Sequence, residues 1–214
     1  MQNGYYVLNY MKVYFSTIRL LFLITILMLF ACGKRIDPNR FKDVKIEEGD
    51  LVFRRGTGTK SRAVLNADSL GIYSHVGIIV KLDEKFCVVH ITPGERHKGD
   101  TVDKVKAESL DEFWSNKRAI HGAVFRFKTP IVCAEASSQA IRLLKKGVQF
   151  DHDYELNDST MMYCTEFVWY AYSKAGVDIS SGKRSRINMP VYGGTYLLPS
   201  DIFTNPEFKQ IFKF

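Results

Sequence analysis

Apolar and polar positions fall into short blocks along the middle of the chain, and these blocks define the elements. Residues 51–54 (LVFR) follow the turn Glu48-Gly49-Asp50 and predict a short strand. Residues 75–80 (HVGIIV) and 86–91 (FCVVHI) are rich in β-branched and aromatic side chains. The polar stretch 81–85 separates them, so the pair predicts a β-hairpin. Residues 122–127 (GAVFRF) alternate between two faces and predict a further strand. Ser109, followed three residues later by Glu112, has the spacing of a capping box and predicts a short helix over 109–115. Over 132–146, Ala136, Ala140, Leu143 and Leu144 share one helical face, and Gly147 marks the end. Residues 164–175 (CTEFVWYAYSKA) predict a second long helix, closed by Gly176. The segments 56–72, 93–99 and 147–158 read as loops, the first with room for a helical turn. The tail from 179, with Pro190, Gly193, Gly194, Pro199 and Pro206, reads as irregular. The order strand, hairpin, strand, helix, helix predicts an α+β domain with a mostly antiparallel sheet packed against the helix that Cys164 begins.

The beginning of the chain follows another pattern. Residues 20–31 (LLFLITILMLFA) form an apolar run of twelve, short of the roughly 20 residues a bilayer-spanning helix needs. With Lys12 and Arg19 upstream, the run fits the apolar region of a signal peptide, and Met11 is an alternative start. The run ends in Leu29-Phe30-Ala31-Cys32-Gly33, which resembles a bacterial lipobox. That resemblance implies lipid transfer to Cys32, cleavage before it, and anchorage at a membrane surface. The expected division is a signal peptide over 1–31, a lipidated cysteine and basic tether over 32–46, and one folded domain over 47–214. The expected address is the bacterial cell envelope, on the outer membrane or the periplasmic face.

Composition narrows the class. The 214 residues are 46% hydrophobic and 25% charged, which excludes a disordered, collagen-like or polytopic membrane chain. Four cysteines are too few for a disulfide scaffold. The net charge of +7 is scattered, with short clusters at Lys145-Lys146 and around Lys183, Arg184 and Arg186. No nucleic-acid motif accompanies it, so the charge points at most to anionic lipid or cell-wall polymer.

The candidate chemistry lies in three residues. The predicted hairpin brings His75, at the start of one strand, close to His90, near the end of the other. Cys164 begins a helix, where the positive end of the dipole favours the thiolate. A thiol beside an imidazole is an activated nucleophile with its general base, and a second imidazole can orient the first. Taken singly, each residue has a plain structural alternative, a bonded core histidine or a small buried cysteine. Cys87 and Cys133 read as buried apolar residues, with a disulfide between them as the alternative. His97, His121 and His152 lack ligand spacing with the cysteines, so neither a metal nor another cofactor is expected. Trp114, Trp169, Tyr170 and Tyr172 read as core and groove walls.

Five segments occur in a telling order: GDLVFRRG at 49–56, YSHVGIIV at 73–80, VVHITPG at 88–94, GVQFDHDY at 147–154 and YCTEFVWYAY at 163–172. Together they resemble the circularly permuted branch of the NlpC-type papain-like cysteine hydrolases, the YiiX-like proteins, in which the histidine strand precedes the cysteine helix. The resemblance implies a permuted papain-like fold with Cys164 as nucleophile, His75 as base and His90 as the third, polar residue. A histidine at that third position is similar to the lecithin retinol acyltransferase branch. Phe150 departs from the family's usual tyrosine and cannot donate to an oxyanion. Tyr154, Tyr163 or the backbone N–H of Cys164 are the substitutes. Asp151 is expected to brace the loop over the site or simply to form an Asx turn. Glu166 either faces the cleft or bonds the loop, and Ser74 joins the candidate substrate contacts. The implied activity is hydrolysis of an amide or related acyl bond through an acyl-enzyme. Peptidoglycan peptides are the first substrate class and acyl amides or lipids the second. The alternatives are an acyltransferase using the same site and a non-catalytic envelope binding module.

Overall fold

The computed structural model describes Arg19, Phe41 and residues 43–97, 99–156, 160–188 and 193–214. Cys32, and the expected signal segment apart from Arg19, lie outside the described residues. The centre of the fold is a six-stranded antiparallel sheet. Its strands are β1 (Leu51–Arg55), β2 (His75–Leu82), β3 (Lys85–His90), β4 (Lys106–Glu108), β5 (His121–Phe127) and β10 (Phe208–Lys213). Their spatial order is β10-β5-β1-β2-β3-β4. The hairpin β2–β3 pairs Ile78 with Val89 and Leu82 with Lys85, as the two apolar runs predict. Two small sheets flank this one: β6 (Gln149–Phe150) with β7 (Met161–Met162), and β8 (Ser185–Ile187) with β9 (Gly194–Tyr196).

The helices are α1 (Thr59–Ala67), α2 (Leu110–Phe113), α3 (Pro130–Lys146), α4 (Cys164–Lys174) and α5 (Pro199–Phe203). Local chemistry explains their ends. Ser109 and Glu112 close the expected capping box on α2. Pro130 opens α3, where its missing N–H costs nothing, and Gly147 ends it at φ +68, a left-handed conformation that suits glycine. Among the described residues, no helix is long and apolar enough to cross a membrane.

The sheet has two unlike faces. On one, Leu51, Phe53, Val76, Ile78 and Val80 pack against Ala136, Ala140 and Leu143 of α3 and Phe167, Val168 and Tyr172 of α4. Each large side chain fully buried there contributes roughly 1.5–3 kcal/mol. Tyr172 Oη donates to the carbonyl of Gly49 over 2.7 Å, tying α4 to the start of β1. A Cβ at Gly49 would fall 2.3 Å from the carbonyl oxygen of Cys133, so only glycine lets α3 approach this turn. On the opposite face, Val52, Ile79, Val88 and Val124 meet Phe113, Trp114 and Ala119. Phe41 packs on this second cluster, its ring 4.7 Å from Trp114.

Two expectations needed correction, and one strand had no expectation at all. The stretch 56–72 holds α1, which buries none of its residues and so leaves no apolar stripe in the sequence. The tail from 179 is largely structured. It carries β8, β9 and α5, and β10 completes the sheet beside β5. A register shift between Gln210 and Phe212 breaks the two-residue alternation of β10. Finally, β4 is a three-residue strand of mixed polarity, too short to show a period.

Candidate active site

The strand register places the histidines. Arg54 of β1 lies opposite His75 of β2. Continuing the β2–β3 register from Ile78 and Val89 sets Gly77 opposite His90. A Cβ on Gly77 would sit 2.6 Å from Val88 Cγ1 and 3.0 Å from His90 Cβ. The bare backbone at this point lets His90 lie close against β2. As a result, His75 Nε2 and His90 Nδ1 are 2.8 Å apart. Both rings are buried and both lean on Phe113, with ring centroids 5.6 and 5.1 Å from it.

Behind the pair stands a residue that sequence reasoning missed. Glu108 lies on β4, whose register sets it opposite Val88 and so on the same face as His90. Its Oε1 is 3.0 Å from His90 Nε2. Its Oε2 accepts from Lys106 Nζ at 2.8 Å and from Arg118 Nη1 at 2.6 Å. Glu95 reaches in from the loop after β3 and pairs with Arg54, whose guanidinium also donates to the carbonyl of Phe113 at 3.0 Å. Glu95 Oε2 lies 3.6 Å from Lys106 and 3.5 Å from Arg118. Three cations and two carboxylates thus surround the histidine pair. The alternation of Lys106, Ala107 and Glu108 was the only sequence signal for this cluster, and three residues cannot establish a period.

This setting decides the protonation states. Burial works against ionisation of Glu108, but His90, Lys106 and Arg118 outweigh it and hold the carboxyl below the usual carboxylate range. Burial lowers His90 to about 4, with Glu108 opposing the shift. Burial also pushes His75 well below the ordinary imidazole value, helped by Arg54, His90, Lys106 and Arg118. Near neutral pH both imidazoles are therefore uncharged.

Cys164 is the first residue of α4 and is half-buried. Its sulfur lies by the backbone N–H groups of Val76 and Thr165 and its own, so the thiol meets the sheet one residue after His75. The expectation of a depressed thiol pKa fails. Burial pushes Cys164 up to about 11, outweighing those N–H groups and the charge of Arg54. Both shifts favour the neutral forms, a thiol at Cys164 and an uncharged imidazole at His75.

The remaining candidates divide. Tyr163 is the N-terminal cap residue of α4, and its hydroxyl accepts from Leu197 N–H at 3.0 Å. Burial raises its pKa. Tyr154 packs against Tyr163 and Phe150, at centroid distances of 5.5 and 5.7 Å. Asp151 spends both oxygens on its own loop, accepting from Asp153 N–H at 2.8 Å and Glu155 N–H at 2.6 Å. Ser74 Oγ accepts from Gly56 N–H at 3.0 Å and braces the end of β1. Glu166 is buried in the first turn of α4. Cys87 and Cys133 are separate free thiols. Cys133 is buried, with its Sγ 3.5 Å from the carbonyl of Phe127.

Comparisons with known proteins agree with this fold. A family model described as permuted papain-like amidase enzyme, YaeF/YiiX, C92 family, matches residues 45–211. None of the curated proteins searched matches the chain. Among solved structures, the crystal structure of the metalloprotein yiiX from Escherichia coli O157:H7 is similar, with a TM-score of 0.62 and 21% identity. The match covers 78% of this chain and 97% of that one. That neighbour is described as a metalloprotein. Here the residues fit one poorly: no group of three or more His, Cys, Asp or Glu among the described residues is arranged to hold a metal ion. His75 Nε2 and His90 Nδ1 face each other rather than a shared centre. The order of the histidine strand and the cysteine helix, the antiparallel sheet and the matched residues lead to one assignment: this chain belongs to the permuted papain-like amidases of the YaeF/YiiX, C92 family.

Proposed function

We propose that the protein is a lipid-anchored cysteine hydrolase of the bacterial cell envelope that cleaves amide bonds through an acyl-enzyme, with Cys164 as nucleophile and His75 as base. One observation carries this reading. The Cys164 thiol opens α4 beside Val76, and its neighbour His75 has Nε2 engaged by His90, which leaves Nδ1 as the nitrogen that can face the thiol. As Sγ bonds to the substrate carbonyl carbon, its proton passes to His75 Nδ1 and the carbonyl oxygen takes up negative charge. The backbone N–H of Cys164 is a candidate donor for that oxygen. Collapse breaks the C–N bond, and His75 returns the proton to the leaving nitrogen. Water then attacks the thioester, giving a proton to His75. The C–S bond breaks, the acid leaves and the thiol is restored. Because the resting thiol is protonated, transfer to His75 accompanies attack rather than preceding it.

Peptide amides of peptidoglycan are the first substrates to test, and acyl amides follow. The anchor rests on residues 20–33 and their likeness to a lipobox. Cys164→Ser is expected to abolish turnover on a panel of muropeptides and acyl amides while circular dichroism stays unchanged. Undiminished turnover would refute the assignment. Replacing Cys32 by Ser should release the protein from the membrane fraction and remove its acyl label.

A further inference from the structure

The ion cluster on β4 explains how a neutral third residue serves the base. His90 Nε2 and Glu108 Oε1 are both buried, stand 3.0 Å apart as an ion-pair contact, and neither has another polar partner recorded among the described residues. A carboxylate oxygen cannot rest that close to an imidazole lone pair without repulsion, so His90 Nε2 carries the proton. His90 Nδ1 is then an acceptor. His75 must fill it with its own Nε2–H across 2.8 Å, and His75 Nδ1 is left as a lone pair. Lys106 and Arg118 pin the far oxygen of Glu108, which turns Oε1 toward His90.

We infer that Glu108 is a positioning residue for the hydrolysis: through His90 it fixes both imidazoles in the Nε2–H tautomer and so presents His75 Nδ1, unprotonated, to the Cys164 thiol. The inference rests on the reading of Cys164 and His75 given above. The working set is then a chain of four, Cys164, His75, His90 and Glu108. Glu108 touches neither substrate nor the reacting atoms. Its charge becomes useful when His75 takes the thiol proton, because the imidazolium formed donates to His90, and His90 in turn leans on a carboxylate. The charged groups facing the pair come from every neighbouring element: Arg54 from β1, Lys106 and Glu108 from β4, Glu95 from the loop after β3, and Arg118 from the loop after α2. The cations discourage a resting imidazolium, and Glu108 keeps a temporary one attainable.

The test needs no substrate. In the full-length chain labelled with ¹⁵N-histidine, nitrogen–proton correlation spectra at pH 8 report which ring nitrogen carries the proton. Both His75 and His90 are expected as Nε2–H tautomers, and an Nδ1–H form at His75 overturns the proposal whatever any variant does. Glu108→Gln offers His90 either a carbonyl oxygen or an amide N–H, so the unique tautomer should be lost at both rings. Alkylation of Cys164 by iodoacetamide at pH 7, read by peptide mass spectrometry, should fall roughly 10- to 100-fold, the range for loss of an outer-shell partner. A folded Glu108→Gln protein with unchanged tautomers and unchanged alkylation also overturns it. If that variant does not fold, the wild-type spectrum decides. Failure of the nucleophile assignment would instead appear as active Cys164→Ser, with the tautomers as stated.

Discussion

The two faces of the central sheet solve opposite problems with the same strands. Under α3 and α4, every second residue of β1 and β2 is apolar, and the packing needs only shape. On the other face, beyond Val52 and Ile79, the strand ends carry Arg54, His75 and His90, backed by Lys106 and Glu108. That face buries charge, and every charge it buries has a counterpart. Cys164 comes from a helix of the apolar face and reaches the sheet at Val76, at the start of β2. The apolar face should therefore answer for stability and the polar face for chemistry, and variants can set them against each other.

The largest expected effect belongs to the polar face. His75→Ala should lower amide turnover roughly 10²–10⁴-fold, the usual worth of a positioned general base. His90→Ala, which removes orientation but leaves the base, should lose less. Equal losses in initial-rate assays would show that the two histidines share the proton transfer. On the apolar face, Phe167→Ala empties a fully buried position on α4 and should cost about 3–5 kcal/mol in denaturant unfolding. A loss below about 1 kcal/mol would mean that the contrast between the faces is overstated.

The last effect, spread over several pH units, is a dependence on pH carried by the buried histidines of the polar face. His90 is lowered from the ordinary imidazole value to about 4 and His75 is lowered as well. The unfolded chain therefore binds more protons than the folded one below about pH 6.5. Stability is complete above that value and falls with acidification by about 1.4 kcal/mol per pH unit for each histidine. For His90 the loss ends near pH 4, where the folded form itself takes up the proton. Glu108 is lowered too, since His90, Lys106 and Arg118 outweigh burial, and its linkage has the same sign. Its contribution is present above the unfolded carboxyl value and fades only in stronger acid. Urea midpoints at pH 7.5, 6 and 5 check this, and a flat series would contradict neutral buried imidazoles.

Much of this organisation is legible in the residues. HVGIIV and FCVVHI declare a hairpin because their β-branched runs flank a polar turn. Cys164 declares a helix start because apolar residues follow at helical spacing up to Gly176. What stayed hidden has physical causes. Glu108 meets His90 through a long-range pairing of a three-residue strand, and no local pattern encodes that partner. α1 buries nothing, so amphipathicity could not reveal it. The bulge in β10 erased its alternation. The raised thiol pKa follows from how completely the site is desolvated, a property of the packed whole, whereas the helix dipole that suggests the opposite is local.

The chain order of the site has a consequence in time. Arg54, His75, His90, Glu108 and Arg118 lie within one stretch of the sequence that closes largely through neighbouring antiparallel pairings. Contacts of such short separation form early, whereas docking α4 must close a longer span across β5 and α3. In a chain emerging from its N-terminus, the residues of the histidine pair precede those of α4. Until α4 docks, Cys164 is not held against the sheet beside Val76, so on the reading proposed above a chain with only its sheet strands formed would carry the histidine pair without the thiol.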